Sequence, residues 1–183
     1  MRYDVVIIGG GLAGLTAGVE LLRGGRSVVA VSEGLSLNQA PGGEFLSLGG
    51  TFLRGDSVLS GGDWDGNRLL RVYTRNLEST PLEAEAFILS TGKFFSRGLI
   101  STMDAVVEPL FGCDVVFEKD RSGWCSPRFS DSQPFMEFGV RTDADGRVLR
   151  SGVPAENVYA AGEILAGRVD IVKSALEICR KLI

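Results

Sequence analysis

The chain opens on Tyr3-Asp4-Val5-Val6-Ile7-Ile8, a largely β-branched run that continues directly into Gly9-Gly10-Gly11-Leu12-Ala13-Gly14 and then into the helix-compatible Leu15 to Arg23. Strand, glycine turn and helix in that order constrain the fold more than any other feature. Gly9 permits the tight turn, Gly11 lets the backbone approach a pyrophosphate, and Gly14 lets the helix pack against the strand. The free N–H groups at the helix start, including those of Leu12 and Ala13, then face the phosphates. The same spacing also serves plain strand-to-helix packing, but here the whole context is present close to the first residue.

Gly24-Gly25 ends the predicted helix and Ser27 to Val31 makes a second apolar strand, completing a β-α-β unit. A carboxylate for the ribose hydroxyls is expected where this strand closes. Ser32 occupies that place and Glu33 follows, pointing to the other face if the strand stays regular, so the contact falls to Ser32 or Glu33.

With 183 residues, 44% apolar and 23% charged, the chain is sized for one domain, residues 1–183. Its 19 basic and 23 acidic residues give a net charge of −4, which favours neither nucleic acid nor anionic lipid. Val5 to Ile8 is too short for a transmembrane segment or signal core, so the reading is cytoplasmic. Cys113, Cys125 and Cys179 form no Cys-x-x-Cys pair and read as reduced core thiols. The chain has no histidine, so the commonest general base and zinc ligand are absent, and so is a histidine-linked flavin. No metal site is expected, and redox chemistry would rest on a bound cofactor.

Further on, Asn38 to Gly43 reads as loop and Glu44 to Leu48 as a short helical turn. Thr51 to Arg54, Ser57 to Ser60, Arg68 to Arg75 and Ala84 to Leu89 are strand-like, with Gly61 to Asn67 a turn between hairpin arms. This predicts an antiparallel meander at about residues 51–90 inserted into a Rossmann-like α/β fold. A last strand, Asn157 to Ala161, runs into Gly162-Glu163, and Ile171 to Ile183 has helical spacing with Asp170 as cap. Glu163 is either placed to accept a hydrogen bond from the ribityl chain of FAD or is a solvated surface acid.

Several phrases together resemble the B-type subunit of anaerobic glycerol-3-phosphate dehydrogenases. They are the glycine turn, the strand ending Ser90-Thr91-Gly92, the phrase Phe94-Phe95-Ser96-Arg97-Gly98-Leu99, Glu108-Pro109, Gln133-Pro134-Phe135, Phe138 to Asp143, and Glu156 to Gly162. The resemblance implies an FAD-binding flavoprotein, FAD in preference to FMN, with Gly9, Gly11, Gly14, Thr91, Gly92, Gly162 and Glu163 at the nucleotide. It also implies a complex that oxidises glycerol 3-phosphate to dihydroxyacetone phosphate and passes electrons to quinone. The partners would be a larger dehydrogenase subunit and an iron–sulfur, membrane-associated subunit, which would make this chain cytoplasmic or peripheral at the inner membrane. Against the family pattern, a large central portion is missing near residues 38–44. The stretch after the last strand is shortened to Ala166-Gly167-Arg168-Val169. Both losses fall where substrate and isoalloxazine would lie.

Three functional classes follow: a redox subunit working beside a catalytic partner, a scaffold that binds FAD or its ADP part without turnover, and a remnant that folds and binds nothing. Lys93 and Arg97 read as solvated loop charges, one of Phe94 and Phe95 as core and the other as a lid or partner contact, and Asp120 to Asp131 as a loop at a subunit contact.

Overall fold

The computed structural model describes residues 1–34 and 40–183. Strand β1 (Arg2–Ile8) is followed by helix α1 (Leu12–Arg23), strand β2 (Val28–Ser32), helix α2 (Ala40–Ser47) and strand β3 (Thr51–Arg54). Strands β4 (Asp63–Asp65), β5 (Arg68–Val72) and β6 (Leu82–Leu89) come next. The short pair β7 (Ile100–Ser101) and β8 (Val106–Val107) and the pair β9 (Val115–Val116) and β10 (Gly139–Val140) follow, and β11 (Arg147–Arg150), β12 (Val153–Ala160) and α3 (Ile171–Leu182) end the chain. The main sheet runs β11-β12-β6-β1-β2-β3, and its β12-β6-β1-β2-β3 part is parallel throughout. The architecture is the expected Rossmann-like α/β fold.

Alternation along the strands builds two cores. Val5, Ile7, Val28, Ala30, Ala86 and Ile88 face α1 and α3, whereas Val6, Ile8, Val29, Val31, Phe87 and Leu89 face the hairpin and the long loops beyond β6. Strand β6 is shared: β1 takes one edge, while β5 pairs its first residues in antiparallel fashion and β12 its last in parallel. The buried Asn157 of β12 seals that junction. Its Oδ1 accepts from the Leu69 N–H at 2.9 Å and its Nδ2 donates to the Leu69 carbonyl at 2.8 Å and the Glu85 carbonyl at 3.0 Å.

Several expectations are corrected. Thr51–Arg54 is no part of a meander but a parallel edge strand on β2, because the connection between them carries a helix and is long enough to cross over. Within residues 51–90 the antiparallel steps between described strands run β4-β5-β6, and β4 lies inside the stretch expected to be all turn. Ser57 to Ser60 makes a single bridge, Val58 to Thr74, before Gly61 and Gly62 turn the chain away at positive φ. Asn38 and Gln39 lie outside the described residues, but Ala40 to Gly43 is helical rather than loop. Pro41 sits in the first turn, where it needs no N–H partner. The helical cost of Gly42 and Gly43 is offset by fully burying Phe45, whose ring occupies the space a Cβ on Gly18 would need. Cys113 and Cys179 are buried as expected, with burial pushing the Cys179 thiol up to about 12, whereas Cys125 is exposed. It follows the buried Trp124, which takes the core position at the end of the 3-10 turn Arg121–Gly123.

Asp4 ties the start of β1 to the approach to β2. Its Oδ2 accepts from the Ser27 backbone N–H at 2.7 Å and the Ser27 hydroxyl at 2.8 Å. These two bonds lower its pKa from the ordinary 3.8. A depressed folded-state value means that the stabilisation is present above the unfolded value and is lost as pH falls through it. Urea midpoints taken between about pH 5 and pH 2 should therefore fall less steeply for Asp4→Asn than for the parent protein. Equal slopes would show that the pair contributes nothing.

Candidate functional site

The carboxyl ends of β1, β2 and β6 meet where the strand order reverses, and a cleft of about 790 Å³ opens there. This is the crevice where parallel α/β sheets hold ligands. Gly9 turns the chain at φ +113°, donates its N–H to the Val31 carbonyl at 2.9 Å and lies under Ser90, so a Cβ on it would come within 2.3 Å of the Ser90 carbonyl oxygen. Ser90 holds the turn in place, its hydroxyl donating to the Gly9 carbonyl at 2.9 Å. Gly14 is buried behind the turn, where a Cβ would sit 2.1 Å from the Gly9 carbonyl oxygen. Gly11 differs from both: it is the N-cap residue of α1 at an ordinary φ of −81°, and a Cβ there would meet nothing within 4 Å. No side chain caps α1 and its first turn carries no acid, so the amides of this turn are left for a ligand.

The expected residues converge unevenly. Gly9, Gly11, Leu12, Ala13, Ser32, Glu33, Thr91, Gly92 and Glu163 line the cleft. Gly14 and Gly162 do not; they shape it from behind. A Cβ on Gly162 would collide with the Ala13 methyl at 2.5 Å, and the Gly162 N–H donates to the Ser174 hydroxyl of α3 at 3.0 Å. This contact lays the Gly162–Ile164 turn across the start of α1, with Glu163 exposed at the cleft. Asp170 caps α3 as expected, accepting from the Lys173 N–H at 2.9 Å.

The loop after β6 folds tightly on itself. Gly92 and Arg97 have positive φ, and the Gly98 N–H donates to the Lys93 carbonyl at 2.9 Å. Thr91 Oγ1 is buried there without a hydrogen-bond partner among the described residues. Lys93 is not a solvated charge: its ammonium donates to the Met136 carbonyl, and desolvation lowers its pKa against the opposing pull of Glu163 and Glu137. Arg97 is exposed at the cleft, Phe94 packs edge-on against Phe135 with centroids 5.9 Å apart, and Phe95 is fully exposed.

Sequence reasoning missed Asp56, Ser57 and Val58, which follow β3 and line the same cleft, and Leu110, carried by a loop built on the buried Glu108. An acid next to a glycine reads as a turn, and only the parallel placement of β3 beside β2 brings Asp56 into the site.

The family model for an FAD binding domain matches residues 4–65 and 34–174. The chain belongs to the FAD-binding domain family. Its cofactor is accordingly FAD, and the cleft fits it: open space before Gly11 and an uncapped helix start are what a bound dinucleotide requires. The chain is 42% identical over 137 residues to the B-type subunit of the anaerobic glycerol-3-phosphate dehydrogenase of Vibrio vulnificus, covering 73% of this chain and 31% of that protein. It is 36% identical over 153 residues to the same subunit from Aliivibrio fischeri, covering 78% of this chain and 34% of the relative. The chain thus spans about a third of the length of the curated relatives it matches. Among solved structures, a GidA-related protein from Thermus thermophilus aligns with a TM-score of 0.61 at 15% identity, over 98% of this chain and 97% of its own. A thioredoxin reductase from Gloeobacter violaceus aligns with a TM-score of 0.59 at 13% identity, over 99% and 93%. At such identities the likeness is one of fold.

Proposed function

We propose that this FAD-binding chain is the nucleotide-holding subunit of a flavoprotein oxidoreductase of the anaerobic glycerol-3-phosphate dehydrogenase type. It would oxidise glycerol 3-phosphate to dihydroxyacetone phosphate only together with a larger catalytic subunit, and send electrons to quinone through an iron–sulfur subunit at the membrane. Among the described residues no helix is long and apolar enough to cross a membrane, so membrane contact in this reading comes through the partner. The observation that carries the proposal is the open face of Gly11 at the uncapped start of α1.

In this reading Gly9, Gly11, Leu12 and Ala13 cradle the pyrophosphate, Ser32 and Glu33 lie on the adenosine side, and Thr91, Gly92 and Glu163 border the flavin side. Gly14 and Gly162 act by keeping the backbones close. When bound, FAD supplies the electron-accepting ring; the chain itself binds and orients it.

The test is the visible spectrum of the purified protein, followed by heat release and identification of the flavin. A yellow protein that releases FAD, or takes it up when added, and is not bleached by glycerol 3-phosphate alone is the expected result. A colourless protein that takes up no FAD would overturn the reading. Bleaching by glycerol 3-phosphate without a partner would show a complete catalytic site.

A further inference from the structure

We propose that Asp56, rather than a residue at the end of β2, supplies the carboxylate that binds the adenosine ribose hydroxyls of the dinucleotide; this rests on the FAD reading above. The place where a ribose acid is expected holds Ser32, whose hydroxyl already accepts the Gly34 N–H at 3.2 Å, and Glu33 is exposed. Asp56 reaches the same place from the neighbouring strand. Its N–H donates to the Ser32 carbonyl at 3.1 Å, and the residue borders the same cleft as Ser32 while only 2% exposed.

The two oxygens of Asp56 are used unequally. Oδ1 accepts the Ser57 N–H at 2.8 Å and the Asn76 N–H at 3.0 Å, which fixes the carboxylate plane. Among the described residues Oδ2 has no hydrogen-bond partner. A buried carboxylate normally fills both oxygens, because an unpaired charge in a desolvated site is costly. One oxygen anchored and the other without a partner among the described residues is the arrangement that accepts a pair of ribose hydroxyls without moving. The acid has thus shifted from the end of β2 to the end of β3, on the same side of the pyrophosphate turn.

The experiment uses FAD and an FAD analogue carrying 2′,3′-dideoxyadenosine, titrated into the flavin-free protein and into Asp56→Asn. Asparagine keeps an oxygen to accept the Ser57 and Asn76 amides, so far-UV circular dichroism and thermal melting should match the parent. The parent should bind the dideoxy analogue roughly 10- to 100-fold more weakly than FAD, the loss expected for a hydrogen bond to a charged group. The D56N variant should bind FAD more weakly by a similar factor and no longer distinguish FAD from the analogue. Equal affinity of the parent for both ligands overturns the proposal without any variant, as does an unchanged FAD affinity and hydroxyl preference in D56N. A parent protein that takes up no FAD at all would instead remove the reading on which the proposal stands.

Discussion

Replacing Gly11 by valine is expected to separate folding from flavin binding. Gly11 has an ordinary φ of −81° and a Cβ there meets nothing within 4 Å, so neither strain nor overlap opposes the side chain in the folded protein. The loss of an acceptable N-cap residue costs about 1 kcal/mol at most. The same side chain stands in front of the first-turn amides of α1, where a pyrophosphate must come into van der Waals contact with the backbone. The G11V protein should therefore unfold at nearly the parental urea concentration and carry no flavin, even at micromolar FAD. The contrast is Gly14→Val. A Cβ at that position lies 2.1 Å from the Gly9 carbonyl oxygen and 2.6 Å from the Ser90 hydroxyl, so the helix must move off the strand. That overpacking should destabilise by about 3 kcal/mol or more, and flavin would be lost only because the fold is. If G11V retains yellow colour at parental intensity, the pyrophosphate does not lie against this turn.

Glu108→Ala should produce the largest loss of stability from a residue outside the cleft. The Glu108 side chain is 2% exposed and organises the loop from Glu108 to Cys113: Oε1 accepts the Leu110 N–H at 2.8 Å, and Oε2 accepts the N–H groups of Phe111 at 2.8 Å and Cys113 at 3.3 Å. Removing the carboxylate leaves three amides without acceptors in a desolvated loop, a cost of roughly 3 to 5 kcal/mol. With a urea dependence of about 2 kcal/mol per molar, the midpoint should fall by more than 1 M. The loop also braces the site. The Leu110 carbonyl accepts the Gly61 N–H at 2.7 Å, the Phe111 carbonyl accepts Arg150 Nε at 2.9 Å, and the Leu110 side chain lines the cleft. Flavin affinity should therefore drop along with stability. A shift below 0.5 M would mean that water replaces the carboxylate at all three amides.

The parts of this molecule legible in the sequence are those decided by neighbours in the chain. The strand, glycine turn and helix of residues 3–23 announce themselves because a single short segment contains the β-branched run, the permissive φ at Gly9 and the close packing at Gly14. Asp170 and α3 are equally local. What stayed hidden depends on partners far away. Thr51–Arg54 is the same kind of short strand whether it pairs in parallel or antiparallel, and only the α2 crossover decides. Pro41-Gly42-Gly43 looks like loop because the burial of Phe45 that offsets its poor helix propensity involves Gly18 and Phe52 on other elements. Asp56 was missed for the same reason: the cleft reaches it through the Ser32 carbonyl, not through any motif around it.

The dependence on distant partners extends to the order of assembly. The Ser90 hydroxyl that clamps the glycine turn reaches across 82 residues to the Ile8 carbonyl, and Asn157 reaches across 88 to Leu69. Contacts of that span are slow to form, because long loops must close before any of their energy is returned. During synthesis the glycine turn therefore emerges well before β6, whose end holds it in place. Cofactor capture is thus expected to follow the closure of these long loops, with free FAD stabilising the finished fold by mass action.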